Sequence, residues 1–366
     1  MTYLFNKTSS ILNPGYLILT LFLVIIQGCT ANHGMAQIPE GTVVVDYLYS
    51  ELLENEMGED PTRRVTIYLP PDYQNSTDRY PVIYYLHGFT WSDSLQIADD
   101  MFDKLLDKAI ATGKIKPVIV VMPDHHTKYR GSFYTNSPLG GNWADFTAID
   151  LVAFIDKNYR TISDNNSRGI AGHSMGGHGA IKIGMLYPDV FSIVYALSPG
   201  ALDLVKDMGI KNPAYREVLD IETKEELISE WDHLYANVFV AMGRMFSPNP
   251  ENPPFYADLP YVPEGDRMAV NNEVLGLWQN NLPLEMINDY ADNLRQLKAL
   301  KLDWGRNDEF AHIPYTIKMF SIKLENLGIN HYAEEHIGTH SNKLWTDDGR
   351  GLNDMLPFFD AWLNFK

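Results

Sequence analysis

Short runs that are apolar at nearly every position alternate along this chain with longer stretches whose apolar residues recur every three or four places. The segments 41–47 (GTVVVDY), 64–69 (RVTIYL), 80–86 (YPVIYYL), 117–122 (PVIVVM), 168–172 (RGIAG) and 191–197 (FSIVYAL) read as strands. Unbroken apolar runs suit strands covered on both faces, as in a parallel sheet. Between them, Ile97, Met101, Leu105 and Ile110 keep helical spacing, as do 146–158 and 176–186. This alternation predicts a doubly wound, mostly parallel α/β sheet.

The rhythm breaks between about 202 and 288. A charged helical stretch (224–233) and a Pro- and aromatic-rich loop (247–256) carry no strand signal. Such a segment inside an α/β protein is expected to pack as a lid-like helical and loop insertion. Sheet rhythm returns at 299–304, followed by a helix near 313–327 and a strand near 331–334. A closing helix over 352–365 carries a Leu356, Phe359, Leu363 stripe that should dock on the sheet.

The first residues stand apart from that domain. Tyr16–Ile26 is an apolar run preceded by a single lysine, Lys7, too short to span a bilayer comfortably and suited to a signal peptide. It leads into Ile26-Gln27-Gly28-Cys29, which resembles the lipobox of bacterial lipoproteins, with Cys29 as the lipidated residue. Cys29 is the only cysteine, so no disulfide can form within the chain. The expected organisation is a signal peptide over 1–28, a tether over 29–40, and one α/β domain over 41–366 carrying the lid-like insertion at about 202–288. Export to a bacterial cell envelope follows, with membrane contact only through the anchor. Over 366 residues the composition is that of a core-forming globular chain, and the net charge of −18 disfavours a nucleic-acid partner.

Gly172-His173-Ser174-Met175-Gly176 fits the G-x-S-x-G nucleophile elbow, between a short β run and a helix. A serine hydroxyl needs a base, and the base an orienting acid, in the chain order Ser, acid, His. Downstream histidines are His233, His312, His331, His336 and His340. His340, in Gly338-Thr-His-Ser341 between the last strand and the closing helix, is favoured as base. His233 falls in the insertion, and His312 opens a helix. His336 is the rival for the base; it sits four residues from His340, but no Glu follows it as a zinc-type HExxH helix requires, so a metal pair is discounted. For the acid, Asp308 lies in the loop beyond the 299–304 strand, whereas Asp303 lies in or at the end of that strand, where an ionised carboxylate is costly unless paired. Asp308 is favoured, and Asp303 is expected to brace the turn. Oxyanion donors are expected from the backbone of Met175 and of Phe89, after His87-Gly88. Tyr129, Phe133, Tyr134, Trp143 and His173 are candidate substrate contacts. Asp124-His125-His126 is read as loop lining, with no metal and no organic cofactor expected.

Together, Tyr85-Leu-His-Gly88, Gly172-His-Ser-Met-Gly-Gly177, Asp303-Trp-Gly-Arg-Asn-Asp-Glu-Phe310 and Gly338-Thr-His-Ser341 resemble the putative-esterase family of α/β-hydrolases, which includes S-formylglutathione hydrolases and feruloyl esterases. The stretches 131–137 and 142–146 resemble that family's loop and helix beneath the active site. The resemblance implies an α/β-hydrolase fold, Ser174, Asp308 and His340 as the triad, and a small-molecule or carbohydrate-linked ester as substrate. A same-fold acyltransferase or peptidase shares these residues, and a non-catalytic surface module is the reading from a different class.

Overall fold

A computed structural model describes residues 38–366 except Glu230. The signal peptide, Cys29 and most of the tether lie outside the described residues. Eight strands form one sheet: β1 (Thr42–Tyr49), β2 (Thr62–Leu69), β3 (Val82–Leu86), β4 (Ile119–Pro123), β5 (Arg168–His173), β6 (Ile193–Leu197), β7 (Ala299–Gly305) and β8 (Tyr332–His336). Their spatial order is β1-β2-β4-β3-β5-β6-β7-β8. β2 runs antiparallel to both neighbours, and every pair from β4 to β8 is parallel. This is the mostly parallel α/β-hydrolase sheet that the sequence predicts.

Burial explains the apolar runs. β3, β4 and β6 are buried at every position, whereas edge strands β1 and β8 are largely exposed. The closing helix docks as its stripe predicts: Leu356, Phe359 and Leu363 are buried, and a Cβ on Gly169 of β5 would lie 2.4 Å from the Phe359 ring.

Two local expectations change. The helix expected across 97–110 is two helices, α1 (Asp93–Ala98) and α2 (Phe102–Ala111), because Met101 adopts a left-handed φ of 48°. The Trp91 indole donates to Asp100 at 2.9 Å and ties this break down. The insertion, expected to lack strands, contains a hairpin pairing Tyr261–Glu264 with Arg267–Val270. Nor is it merely laid over the domain. Phe239, Met242 and Phe246 of its long helix Leu234–Phe246 share one apolar core with Ile170 and Val194 of the sheet.

The register aligns the working end of the sheet. Leu86 pairs with Gly172, His173 with Leu197, Leu197 with Asp303, and Gly305 with His336. The loops leaving these carboxyl ends carry Phe89, Ser174, Asp308 and His340, so residues spread over about 250 positions converge on one crevice, the usual ligand site of open α/β sheets.

Candidate active site

Ser174 sits at the turn between β5 and the helix Met175–Leu186, with φ 58° and ψ −116°. Only close packing holds an ordinary residue there, since such backbone costs roughly 1–3 kcal/mol. The flanking glycines make room: a Cβ on Gly176 would lie 1.9 Å from the Leu86 carbonyl oxygen, and one on Gly172 would lie 2.4 Å from Gly176. The serine therefore stands at the floor of a cavity of about 880 Å³, lined also by His340, Phe89 and Met175.

His340 and Asp308 meet as the chain order suggests. Nδ1 of His340 lies 2.9 Å from Oδ2 of Asp308, and the Asp308 side chain is fully buried. A carboxylate can only accept, so Nδ1 carries the proton and Nε2 keeps its lone pair. The backbone of residue 340 is clamped from both ends. Its N–H donates to Glu309 at 3.0 Å. Its carbonyl accepts from His173 Nε2 at 3.0 Å and from Arg350 Nη2 at 3.3 Å. The Phe310 ring meets the imidazole edge-on at 4.9 Å. These contacts fix the direction of the ring.

The early loop is equally tied. His87 is buried; its Nδ1–H donates to the Gly88 carbonyl at 2.9 Å, and its Nε2 accepts from the His125 N–H at 2.8 Å. Burial pushes this imidazole down to about 4, so it stays neutral. Phe89, held on that loop, donates its N–H to no group among the described residues. Met175 is the first residue of its helix, so its N–H has no partner within the helix. Both donors border the cavity.

A family model described as putative esterase matches residues 55–359. The chain belongs to the putative-esterase family. An esterase of Mycobacterium tuberculosis is 29% identical over 208 residues, covering 57% of this chain and 44% of that relative. The chain thus spans less than half the length of that relative. Among solved structures, a ferulic acid esterase superposes with TM-score 0.59 at 23% identity, covering 88% of this chain and 99% of that one. An S-formylglutathione hydrolase from Agrobacterium tumefaciens gives TM-score 0.58 at 18% identity, covering 89% and 97%. Both likenesses establish the fold.

Within this family member, Asp303 is a paired carboxylate under the site. It is buried in β7, bound by Arg350 Nη1 and by the Tyr195 hydroxyl at 2.8 Å. Burial raises its pKa, and Arg350 and Tyr195 oppose the rise. Because Arg350 also holds the His340 carbonyl, Asp303 braces the loop that carries the imidazole. His336 ends β8 and lies outside the cavity lining.

The substrate contacts need correction. Phe133 and His173 line the cavity, but Tyr129, Tyr134 and Trp143 do not. Tyr134 and Trp143 are wholly buried. The Tyr134 hydroxyl donates to the His87 carbonyl at 2.8 Å, and the Trp143 indole to the Gly140 carbonyl at 2.8 Å. Each polar tip is spent on backbone behind the site, so neither ring is free for a ligand. His173 faces the cavity from beside His340, ring centroids 4.5 Å apart. Burial drives it well below its ordinary value, which avoids a second positive charge there.

His312, set aside as base because it opens a helix, nevertheless lines the cavity. His312 and Asp207 form another imidazole–carboxylate pair at 3.1 Å. His312 follows Asp308 by four residues at a helix start, a weak cue, and Asp207 comes from the insertion with no cue at all.

Proposed function

We propose that this chain hydrolyses carboxylic esters through Ser174, His340 and Asp308. The observation that carries the reading is the 2.9 Å Asp308–His340 contact beside an elbow serine in the same cavity. In the first half-reaction His340 Nε2 takes the Ser174 proton as Oγ bonds to the acyl carbon. The carbonyl oxygen becomes an oxyanion, which the N–H groups of Phe89 and Met175 receive. Asp308 stabilises the imidazolium. Its Nε2 proton then passes to the leaving oxygen as that bond breaks, freeing the alcohol and leaving an acyl-serine. Water repeats the cycle and releases the acid. Every step uses groups of the chain itself.

The substrate is a small ester whose acyl and alcohol parts fill a largely apolar cavity, carbohydrate-linked esters included. Purified residues 30–366 should release p-nitrophenol from the acetate and butyrate esters, and Ser174→Ala should not. A folded wild type no faster than Ser174→Ala would end this reading.

The mature protein is taken to be exported and held by a lipid on Cys29. Radiolabelled palmitate entering the wild type but not Cys29→Ala would support this, and equal labelling would dismiss it.

A further inference from the structure

One wall of the cavity carries a polar group that ester cleavage leaves unused. His312 is buried at the start of the helix His312–Asn326, and it lines the same cavity as Ser174. Its Nδ1 lies 3.1 Å from Asp207 Oδ1, and its backbone N–H donates to that same oxygen at 2.6 Å. The Tyr235 hydroxyl donates to the other oxygen, Oδ2. With these donors around it, Asp207 is held down to about 2 against the upward push of burial, so it stays ionised. An ionised carboxylate accepts only, so Nδ1 of His312 carries a proton toward it. Nε2 has no partner among the described residues, and with the proton on Nδ1 it is the nitrogen free to accept. Met208, Val238, Ile313 and Phe133 are among the apolar residues that line the same cavity.

Gly200 lies beside both His312 and the serine. A Cβ there would lie 3.7 Å from Ser174 Oγ and 3.8 Å from His312 Nε2, ordinary contact with both. Both groups therefore border the same point beside Gly200, so an ester held at the serine passes close to His312 Nε2.

We infer that the Asp207–His312 pair is a hydrogen-bond-accepting subsite that selects esters bearing a hydroxyl close to the scissile bond. The inference rests on the ester-hydrolase reading above and names its substrate class. A hydroxyl donating to Nε2 satisfies an acceptor that a plain alkyl ester would desolvate without return. A site built for a hydroxyl discriminates against the analogue lacking it for that reason. The expected preference is about 10- to 100-fold in kcat/KM, the range of one hydrogen bond in a partly dry site. The hydroxyl could sit on the acyl or on the alcohol half, and matched pairs separate these sources.

The test compares p-nitrophenyl butyrate with p-nitrophenyl 3-hydroxybutyrate for the acyl half. Propyl butyrate against the butyrate monoester of propane-1,2-diol serves for the alcohol half, followed by acid release. Wild type, His312→Phe, His312→Gln and Gly200→Ala are assayed beside Ser174→Ala. Wild type should prefer the hydroxylated member of one pair. The preference should fall towards one in His312→Phe, survive in part in His312→Gln, whose carbonyl accepts, and shrink in Gly200→Ala, where a methyl enters against both groups. If His312→Phe does not fold, the Gly200→Ala ratio decides. Equal rates within both wild-type pairs, or a preference that survives both His312→Phe and Gly200→Ala, overturn the inference while the esterase stands. Loss of all four activities in a folded His312→Phe would overturn it too, making His312 the proton acceptor. A wild type that cleaves none of the esters removes the esterase reading and this subsite with it.

Discussion

Replacing Asp308 by Asn separates the orienting carboxylate from every other feature of the site. The side chain keeps its shape, and its place against Nδ1 of His340, now 2.9 Å away, is retained. What goes is the negative charge facing the imidazolium that forms as Ser174 gives up its proton. Two unit charges about 4 Å apart at an effective dielectric near 20 interact by about 4 kcal/mol, which corresponds to about a thousandfold in rate. The Asp308 side chain is fully buried, so bulk water cannot replace that charge. An amide N–H turned toward Nδ1 also favours the wrong tautomer and pushes the loss toward about 10⁴. The expected result is a fall in kcat of about 10³ to 10⁴ with KM little changed, read from p-nitrophenyl butyrate hydrolysis. Asp303→Asn is the contrasting variant. It uncouples Arg350 and should cost about 3–5 kcal/mol of unfolding free energy, read from urea denaturation, because a buried guanidinium loses its counter-charge. A folded Asp308→Asn protein retaining more than a tenth of wild-type kcat would refute the assignment of the acid.

Asp100 supplies a pH-dependent counterpart. Burial raises its carboxyl from 3.8 to about 6, opposed by the Trp91 indole. The folded state thus binds this proton more tightly than the unfolded chain. Ionisation costs nothing below about pH 4, develops as pH rises through 4 to 6, and is complete above 6. Two pKa units correspond to about 3 kcal/mol, reduced to about 1 kcal/mol for a partly solvated group. Asp100→Asn should therefore stabilise the protein by about 1 kcal/mol at pH 8 and by almost nothing at pH 4, in urea titrations at both. An equal gain at the two pH values would show that the charge is not responsible. Tyr134→Phe should lower stability by about 1–3 kcal/mol by leaving the His87 carbonyl without its donor, with KM for p-nitrophenyl esters unchanged. A KM raised tenfold at full stability would return Tyr134 to the ligand site.

Several features were decided by the sequence alone, because their causes are local. β3, β4 and β6 show as unbroken apolar runs since both faces are covered, and no polar alternation can survive there. Ser174 is legible because the elbow motif demands glycine at 172 and 176, and a Cβ at 172 would strike Gly176 within the same turn, although one at 176 would strike Leu86 at the end of β3. Asp308 and His340 were reachable from chain order together with the loops that follow β7 and β8. Their aim was not legible. It depends on Arg350, His173 and Glu309, which grip residue 340 from three other segments.

Tertiary structure alone decided which aromatic residues face the ligand. Phe133 and Tyr134 are adjacent, yet one lines the cavity and the other spends its hydroxyl on the backbone behind it. Both take left-handed backbone, φ 48° and 50°, so the strand and helix periodicities used to read side-chain direction do not apply. The break at Met101 has the same character, since a tertiary bond from Trp91 to Asp100 accompanies the interrupted helical spacing. The Asp207–His312 pair, 105 residues apart in the chain, exists only because the insertion packs into the core and delivers a carboxylate to the start of a distant helix. Periodicity and motif spacing report on neighbours along the chain. Contacts between distant segments are set by how the faces pack, and that information appears only in the folded molecule.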